Sequence, residues 1–543
     1  MIPPNRNTSK RFGGLDTDSG FRITEPRLMD NNVNDLLKKG ASTVLSCYII
    51  MMGLIYPLYI RESGYASIGH DKYIFFRTAT LIMLTSVFLL AMMIFVSGEK
   101  KIKWLPNLTQ LATIIFLMIS SISWVFSAYR TTAWHGSEGW FIGLETYIML
   151  IAAYFLISSL WTYNKWVWVS FLVGSGIAFF IAILNRFSIY PFKFDLMAPE
   201  FISTLGNINW IAGYFSVVYP IGAGLFIFSE KNYLRYLSGF FAFIALCMGI
   251  VQGSESVFLS ITAVFYLLLL LSLNSWEKYG TLYILLAIIF CAACQAMRLL
   301  RLILPNGFNY GSDDFSGAIT ESSLSLFMML ILIAFYLLIK YCRGNKAVKL
   351  INLFLTNEIF KKLVIFLPIV LAILFIIAIV INTANLGGFT RFTESSVFIW
   401  GDDWGSSRGA TWNIAITAFR NMNFMQKLIG IGTDSFSDFI YSFPALTEFL
   451  NGYFNNRILR NAHNEILTMM VNTGILGTIA FFAIFITFVT RFLKNGSTNP
   501  LLFIPALCVS SYLVHNLFSF SQVLNLPLIF IIMAIGENMT RNS

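Results

Sequence analysis

Residues 460–474 read RNAHNEILTMMVNTG, a polar run that passes into one apolar helix. Within it His463 has the most versatile chemistry, because an imidazole of ordinary pKa, about 6.5, accepts a proton or donates a hydrogen bond near neutrality. Arg457 and Arg460 precede it, and Arg408 lies further upstream. A guanidinium offers a planar fork that binds phosphate or carboxylate through paired hydrogen bonds. The basic residues of segment 384–463 are Arg391, Arg408, Arg420, Lys427, Arg457 and Arg460, whereas segment 340–362 relies on Lys340, Lys346, Lys349, Lys361 and Lys362 with Arg343. Such an arginine bias fits an anionic ligand. The same arginines also have potential internal partners in Glu394, Asp402, Asp403, Asp434, Asp438 and Glu448.

Further candidates lie outside that segment. Arg298 and Arg301 stand one helical turn apart and present two more forks on one face. His515, in YLVHNLFSF, falls at the same membrane level as His463. Asn207, Asn209 and Asn464 supply neutral hydrogen-bonding groups, although each also suits a helix start. His70 and His135 sit in connecting loops and carry less weight. Cys291 and Cys294 form a C-x-x-C inside a hydrophobic run with no second pair, which reads as helix packing rather than a metal site. The pairs Asp313–Asp314 and Asp402–Asp403 read as loop caps or arginine partners. No metal or cofactor is expected.

These groups need a scaffold, and composition says which kind. The chain has 543 residues, 57% of them hydrophobic and 12% charged, with a mean hydropathy of +0.71. Soluble chains are about 25% charged. Runs of about 20 apolar residues recur throughout, long enough to cross a bilayer. The expected fold is therefore all-α, a polytopic bundle of about fourteen spans, with twelve also possible. They begin near Ala41, Tyr73, Thr109, Glu145, Trp166, Ile208, Tyr236, Ser256, Thr281, Ser322, Leu363, Asn464, Leu501 and Gln522. The +10 net charge follows membrane topology, so no nucleic-acid partner is expected.

Residues 1–40 are polar and read as a cytoplasmic tail rather than a cleaved leader. Spans one to eleven occupy 41–383, a long outer loop 384–463, spans twelve to fourteen 464–537, and a cytoplasmic end 538–543. Lysine-rich connections such as GEKKIKW fall inside on this count, which orients both termini to the cytoplasm in a multi-pass cytoplasmic-membrane protein. Segment 384–463 is too aromatic to be disordered. It is expected to fold over the outer face, with SSRGATWNIAITAFRNM as an amphipathic helix capped by Ser406 or Ser407 and with Trp412, Ile416 and Phe419 sharing a face. His463, Leu467, Met470, Gly474 and Gly477 are expected to share a face of span twelve, beside a polar stripe of Glu465, Thr468 and Asn472.

The ordered motifs TLGNINWIAGY, SSRGATW, LIGIGTDSF and AHNEILTMMVNTGILG resemble the O-antigen ligase and polymerase family of polytopic glycosyltransferases, over roughly residues 109 to 537. The resemblance implies a membrane-embedded, GT-C-like helical fold and a polyprenyl-diphosphate-linked glycan donor. It also implies transfer to an acceptor hydroxyl without nucleotide or metal, in surface polysaccharide or glycoconjugate biosynthesis at the outer face of the cell membrane. Arg408 matches the family's loop arginine and His463 the histidine tied to catalysis. Arg457, Arg460, Arg298 and Arg301 are then candidates for the diphosphate, with Asn464, Asn207, Asn209 and His515 in support. Many members carry an arginine where this chain has Glu255, and often an acid where it has Ser519.

The acceptor, whether glycan, lipid or protein, is not written in these motifs, so a polysaccharide polymerase and a protein O-oligosaccharyltransferase remain alternatives within the class. A flippase for lipid-linked glycan is the alternative outside it, although no inverted repeat supports that reading. The orientation itself is testable. A single cysteine placed in 384–463 of a cysteine-free variant should react with an impermeant thiol reagent on intact cells. Labelling only after lysis would reverse the topology.

Overall fold

The computed structural model describes residues 26–61, 64–96, 106–195, 197–305, 307–308, 315–342, 345–384, 393 and 395–541. Most of the expected tail, Arg343, Arg391, Glu394 and the Asp313–Asp314 pair lie outside them. The chain is helical almost throughout. Its long helices are α1 (Pro26–Leu54), α2 (Ile68–Val96), α3 (Leu108–Phe126), α4 (Leu144–Leu160), α5 (Trp166–Arg186), α6 (Ile208–Phe228) and α7 (Asn232–Val251). They continue with α8 (Ser256–Leu273), α9 (Trp276–Ile303), α10 (Leu324–Tyr341), α11 (Glu358–Ala384), α12 (Glu465–Asn495), α13 (Phe503–Asn516) and α14 (Leu526–Arg541).

A helix stands at each expected span. Ten are long and apolar enough to cross a membrane among the described residues. Helices α4 and α13 are apolar but shorter, at 17 and 14 residues, and α14 has 16. Helix α1 begins at Pro26, earlier than the expected boundary at residue 41. The protein is thus an all-α polytopic membrane protein.

Helix α6 is the axis of the bundle: the 18-residue window that marks it as a span is wholly buried. That explains its apolar composition on every face, since no side of it meets lipid. Around it pack α5, α7, α8 and α13. Helices α10 and α11 lie at the opposite extreme, with 6% and 0% of their windows buried. They expose Phe327, Ile331, Leu367, Leu371 and Leu374 to the surroundings, as lipid-facing helices do.

Each end of the bundle is tied by polar groups. At one end the Glu537 carboxylate pairs with Arg491 and accepts from Asn107 Nδ2 (3.1 Å) and Tyr154 Oη (3.2 Å). At the other end lie His463 and the loop after α11. Lys72, fully buried, donates to the carbonyls of Tyr56 (2.7 Å) and Pro57 (3.0 Å). Thr204 Oγ1 also donates to Pro57 O, and Tyr56 Oη to Val523 O (2.6 Å).

The loop after α11 is largely helical, with segments Trp404–Asn421, Phe424–Ile429, Phe436–Ile440 and Pro444–Tyr453. It has its own apolar core of Ile414, Ala415, Ala418, Phe436, Ile440 and Leu450. Thr411, Ile414, Ala415 and Ala418 point in, while Ile416 is 36% exposed.

Gly474 does not merely allow helices to approach. It takes φ +68°, breaks the regular course of α12, and an added Cβ would lie 2.4 Å from Leu428 O. Gly430, at φ +82°, meets the same kink from the other side. The glycines of two sequence motifs therefore form one backbone contact. Gly474→Ala should lower stability by more than about 2 kcal/mol. Gly452→Ala, with open space around its Cβ, should leave thermal unfolding in detergent nearly unchanged.

Candidate functional site

The approach to α12 positions His463. Asn464 caps the helix, its Oδ1 accepting from Leu467 N (3.0 Å), and its Nδ2 donates to Leu517 O (3.0 Å). Both lone amide functions are thus consumed, one by the helix and one by the α13–α14 connection. His463 precedes the cap and is not on the helix, which corrects its expected place on the face with Leu467 and Met470. It holds φ +50°, a left-handed value that is costly for a non-glycine residue. Local bonds hold it there: Asn461 Oδ1 accepts from His463 N (2.9 Å), and Ala462 N donates to Thr468 Oγ1 (3.1 Å). The imidazole meets the Phe520 ring edge-on at 5.2 Å.

Arg408 arrives from the loop. The chain turns left-handed through Gly405, Ser406 and Ser407, so the regular helix starts only at Arg408. The serines are inside this kink rather than capping, and the cap position is Asp403 without a side-chain bond. Arg408 Nη1 donates to Gly405 O (2.6 Å) and Nε to Phe518 O (2.9 Å). Thr411 Oγ1 lies 3.0 Å from Arg408 O and 2.9 Å from Ala462 O, which joins the arginine's helix to the residue before His463.

Segment 517–521 therefore receives Arg408, Asn464 and the His463 ring together. Glu465 completes it: its Oε2 accepts from Ser521 N (2.8 Å) while only 2% of the residue is exposed. Its Oε1, the His515 Nε2 and both amide atoms of Gln522 are buried with no hydrogen-bond partner among the described residues. Buried polar atoms of this kind are normally satisfied by water or ligand. His515 lies one layer down, its Nδ1 3.0 Å from Asn516 Oδ1, and Arg408 acts on it electrostatically.

Arg408 also heads a cavity of about 650 Å³. Its polar mouth comprises Glu255, Gly405, Ser406 and Arg408, with Trp404 and Phe518 beside them. Its trough is apolar, with Phe258, Leu259 and Ile261 of α8, Phe290 of α9 and Phe375 of α11. Lining residues run from Glu255 to Thr262, a rise of about 10 Å along the helix. A charged mouth over a greasy trough suits an amphiphile with an anionic head.

The electrostatics agree. Burial, then the Arg408 charge, lowers the His463 pKa to about 4, so its imidazole is neutral at pH 7. Burial also pulls the Arg408 value down, and the Glu255 charge opposes that shift. Among the described residues neither Arg408, Arg420, Arg457 nor Arg460 forms a salt bridge, so the described acids of the loop do not consume these four arginines. Asp403 instead accepts from Tyr453 Oη (2.5 Å).

The structure brings together Arg408, His463, Asn464 and His515. Asn207 caps α6 by accepting from Asn209 N, and Asn209 Oδ1 accepts from Ser254 Oγ (2.9 Å), next to Glu255. Arg460 acts electrostatically on Asp434, and Arg457 is exposed. Arg298 and Arg301 line a separate cavity. Sequence reasoning did not find Trp404 or Phe518. Phe518 contributes through a backbone carbonyl, which no residue type announces.

Asp434, one of the potential partners of the loop arginines, forms no salt bridge among the described residues. It accepts from Ser137 N (2.7 Å) and Ile142 N (3.2 Å), and so ties the loop to the α3–α4 connection. Burial raises its pKa from 3.8 to about 7, against the pull of those amides and of Arg460. The folded state thus holds a proton that the unfolded chain releases. The associated stability is full below pH 3.8, is lost as pH rises towards 7, and is flat above. Asp434→Asn should flatten that part of the stability profile, as thermal unfolding between pH 4 and 8 would show.

No curated protein matches the chain. A family model described as O-antigen ligase matches residues 315–482, which include Arg408, the whole loop, His463 and the start of α12. Across those residues this membrane protein is similar to the O-antigen ligase family.

Proposed function

We propose that the protein transfers a glycan from a polyprenyl-diphosphate donor to an acceptor hydroxyl, at the outer face of the cytoplasmic membrane, without metal or nucleotide. The observation that carries this reading is the apolar trough ending at Arg408. A polyprenyl chain suits the trough, where α11 leaves one wall open to lipid. Its diphosphate then meets the Arg408 fork at the mouth, and the glycan lies towards His463.

In the reaction the acceptor oxygen attacks the anomeric carbon, and the bond from that carbon to the diphosphate oxygen breaks. Neutral His463 takes the hydroxyl proton. Arg408 stabilises the charge that grows on the leaving diphosphate. Such a fixed cation in a partly dry site is effective because it is already oriented by the Gly405 and Phe518 carbonyls. Arg460 and Arg457 supply a more distant positive field. The design is one-sided: donor and acceptor meet at a single end of the bundle.

His463→Ala should abolish transfer by purified protein in lipid given a polyprenyl-diphosphate glycan. Arg408→Lys should reduce it on the order of 10²–10³-fold, since an ammonium lacks the fork. The wild-type rate should be flat above about pH 5 and fall as His463 protonates towards pH 4. Normal product from His463→Ala removes that residue from the chemistry, normal product from Arg408→Lys overturns the paired phosphate contact, and donor crossing the bilayer unmodified would mark a transporter.

A further inference from the structure

Arg298 and Arg301 lie on the last turns of α9, beside a cavity of about 310 Å³ that they line with Leu302, Pro305, Thr320 and Glu321. It is separated from the larger cavity by the short helix Phe315–Glu321, whose Ile319 lines the larger space while Thr320 and Glu321 line the smaller. The two arginines are not equivalent. Arg301 is fixed, its Nη1 donating to Thr320 Oγ1 (2.6 Å) and Nη2 pairing with Glu321 (3.0 Å), with its guanidinium 4.6 Å from the Phe308 ring centre. Arg298 forms neither an ion pair nor a hydrogen bond among the described residues, yet it is half-buried.

A half-buried, unpaired guanidinium on a membrane-spanning helix is expensive without a counter-charge. Among the described residues Arg301 and Glu321 cancel, which leaves one positive charge in the lining of the pocket. Its surroundings say where the counter-charge comes from. Leu299, Leu302 and Ile303 are 57%, 70% and 63% exposed on the same turns of α9. Leu302 belongs both to the pocket and to this apolar surface. An anion seated on Arg298 is therefore flanked by hydrocarbon-facing side chains on the membrane side and by fixed hydrogen-bonding groups on the protein side.

We infer that this pocket binds the phosphodiester of an anionic membrane lipid, with Arg298 as the free fork, Arg301 as the pre-ordered second cation and the acyl chains along Leu299, Leu302 and Ile303. A single phosphodiester charge matches the pocket's single uncompensated charge. The inference rests on the membrane setting and not on the transfer reaction, so it stands whether or not Arg408 and His463 carry out that chemistry.

The test uses the full protein in nanodiscs of phosphatidylcholine with a minor fraction of phosphatidylglycerol, with bound lipid read by native mass spectrometry. Wild type should retain phosphatidylglycerol selectively. Arg298→Gln should retain roughly tenfold less, the size of one lost charge-assisted contact. Arg298→Lys should recover part of the retention, and Arg408→Gln should leave it unchanged. Equal thermal unfolding of wild type and Arg298→Gln in pure phosphatidylcholine shows that the loss is not misfolding. Equal retention by Arg298→Gln, or loss of retention in Arg408→Gln alone, overturns the assignment. So does stabilisation by inorganic phosphate in phosphatidylcholine discs that matches the phosphatidylglycerol effect, since the ligand is then a soluble anion.

Discussion

The site depends on one short turn. Segment 517–521, between α13 and α14, offers its backbone to three side chains from elsewhere. Arg408 donates to Phe518 O, Asn464 donates to Leu517 O, and Glu465 accepts from Ser521 N. Phe520 lies against the imidazole of His463. An arginine on the loop and a histidine 55 positions later on the chain are thereby held against one strip of backbone. Groups aimed at a reacting centre lose effect when displaced by an ångström, so this shared anchor matters more than any single contact.

The bundle beneath provides rigidity and a dry setting. Helix α6 is enclosed on all sides, and its Gly213 lies where a Cβ would be 2.6 Å from Asn525 Nδ2, in the same α13–α14 connection. Low local dielectric strengthens the few charges present, which is why His463 titrates so far below an ordinary histidine. The same setting makes each buried polar atom conspicuous. Among the described residues Glu465, Gln522 and His515 hold unpartnered atoms near the histidine, where a well-satisfied interior has few. By contrast α11 leans on the bundle lightly, which leaves the trough beneath Arg408 open on its lipid side.

Much was legible before any coordinates. Apolar runs locate the long helices because burying or solvating 20 backbone amides in hydrocarbon has only one local solution. Arg408 and His463 stood out because ionisable groups are rare in such a chain and each has few inexpensive positions. Errors arose where local pattern and tertiary demand part company. Ser406 and Ser407 look like helix caps but lie in a left-handed turn, because Arg408 must reach Gly405 O and Phe518 O. His463 looks like the first residue of a helical face but stands outside the helix, because Asn464 takes the cap and Asn461 bends the preceding backbone. Asp434 looks like an arginine partner but is consumed by two amides of another loop.

Composition and periodicity by themselves determined an all-α membrane protein, its approximate spans and the loop that carries its arginines. Each of those follows from interactions within about 20 residues of chain, the thickness of a bilayer. Tertiary structure alone decided which cations share a site. Arg408 heads the lipid-shaped trough, while Arg298 and Arg301 line a second cavity beyond the Phe315–Glu321 helix. Sequence spacing carries no information about that division, since it is set by packing between helices far apart in the chain and by carbonyls that every residue possesses.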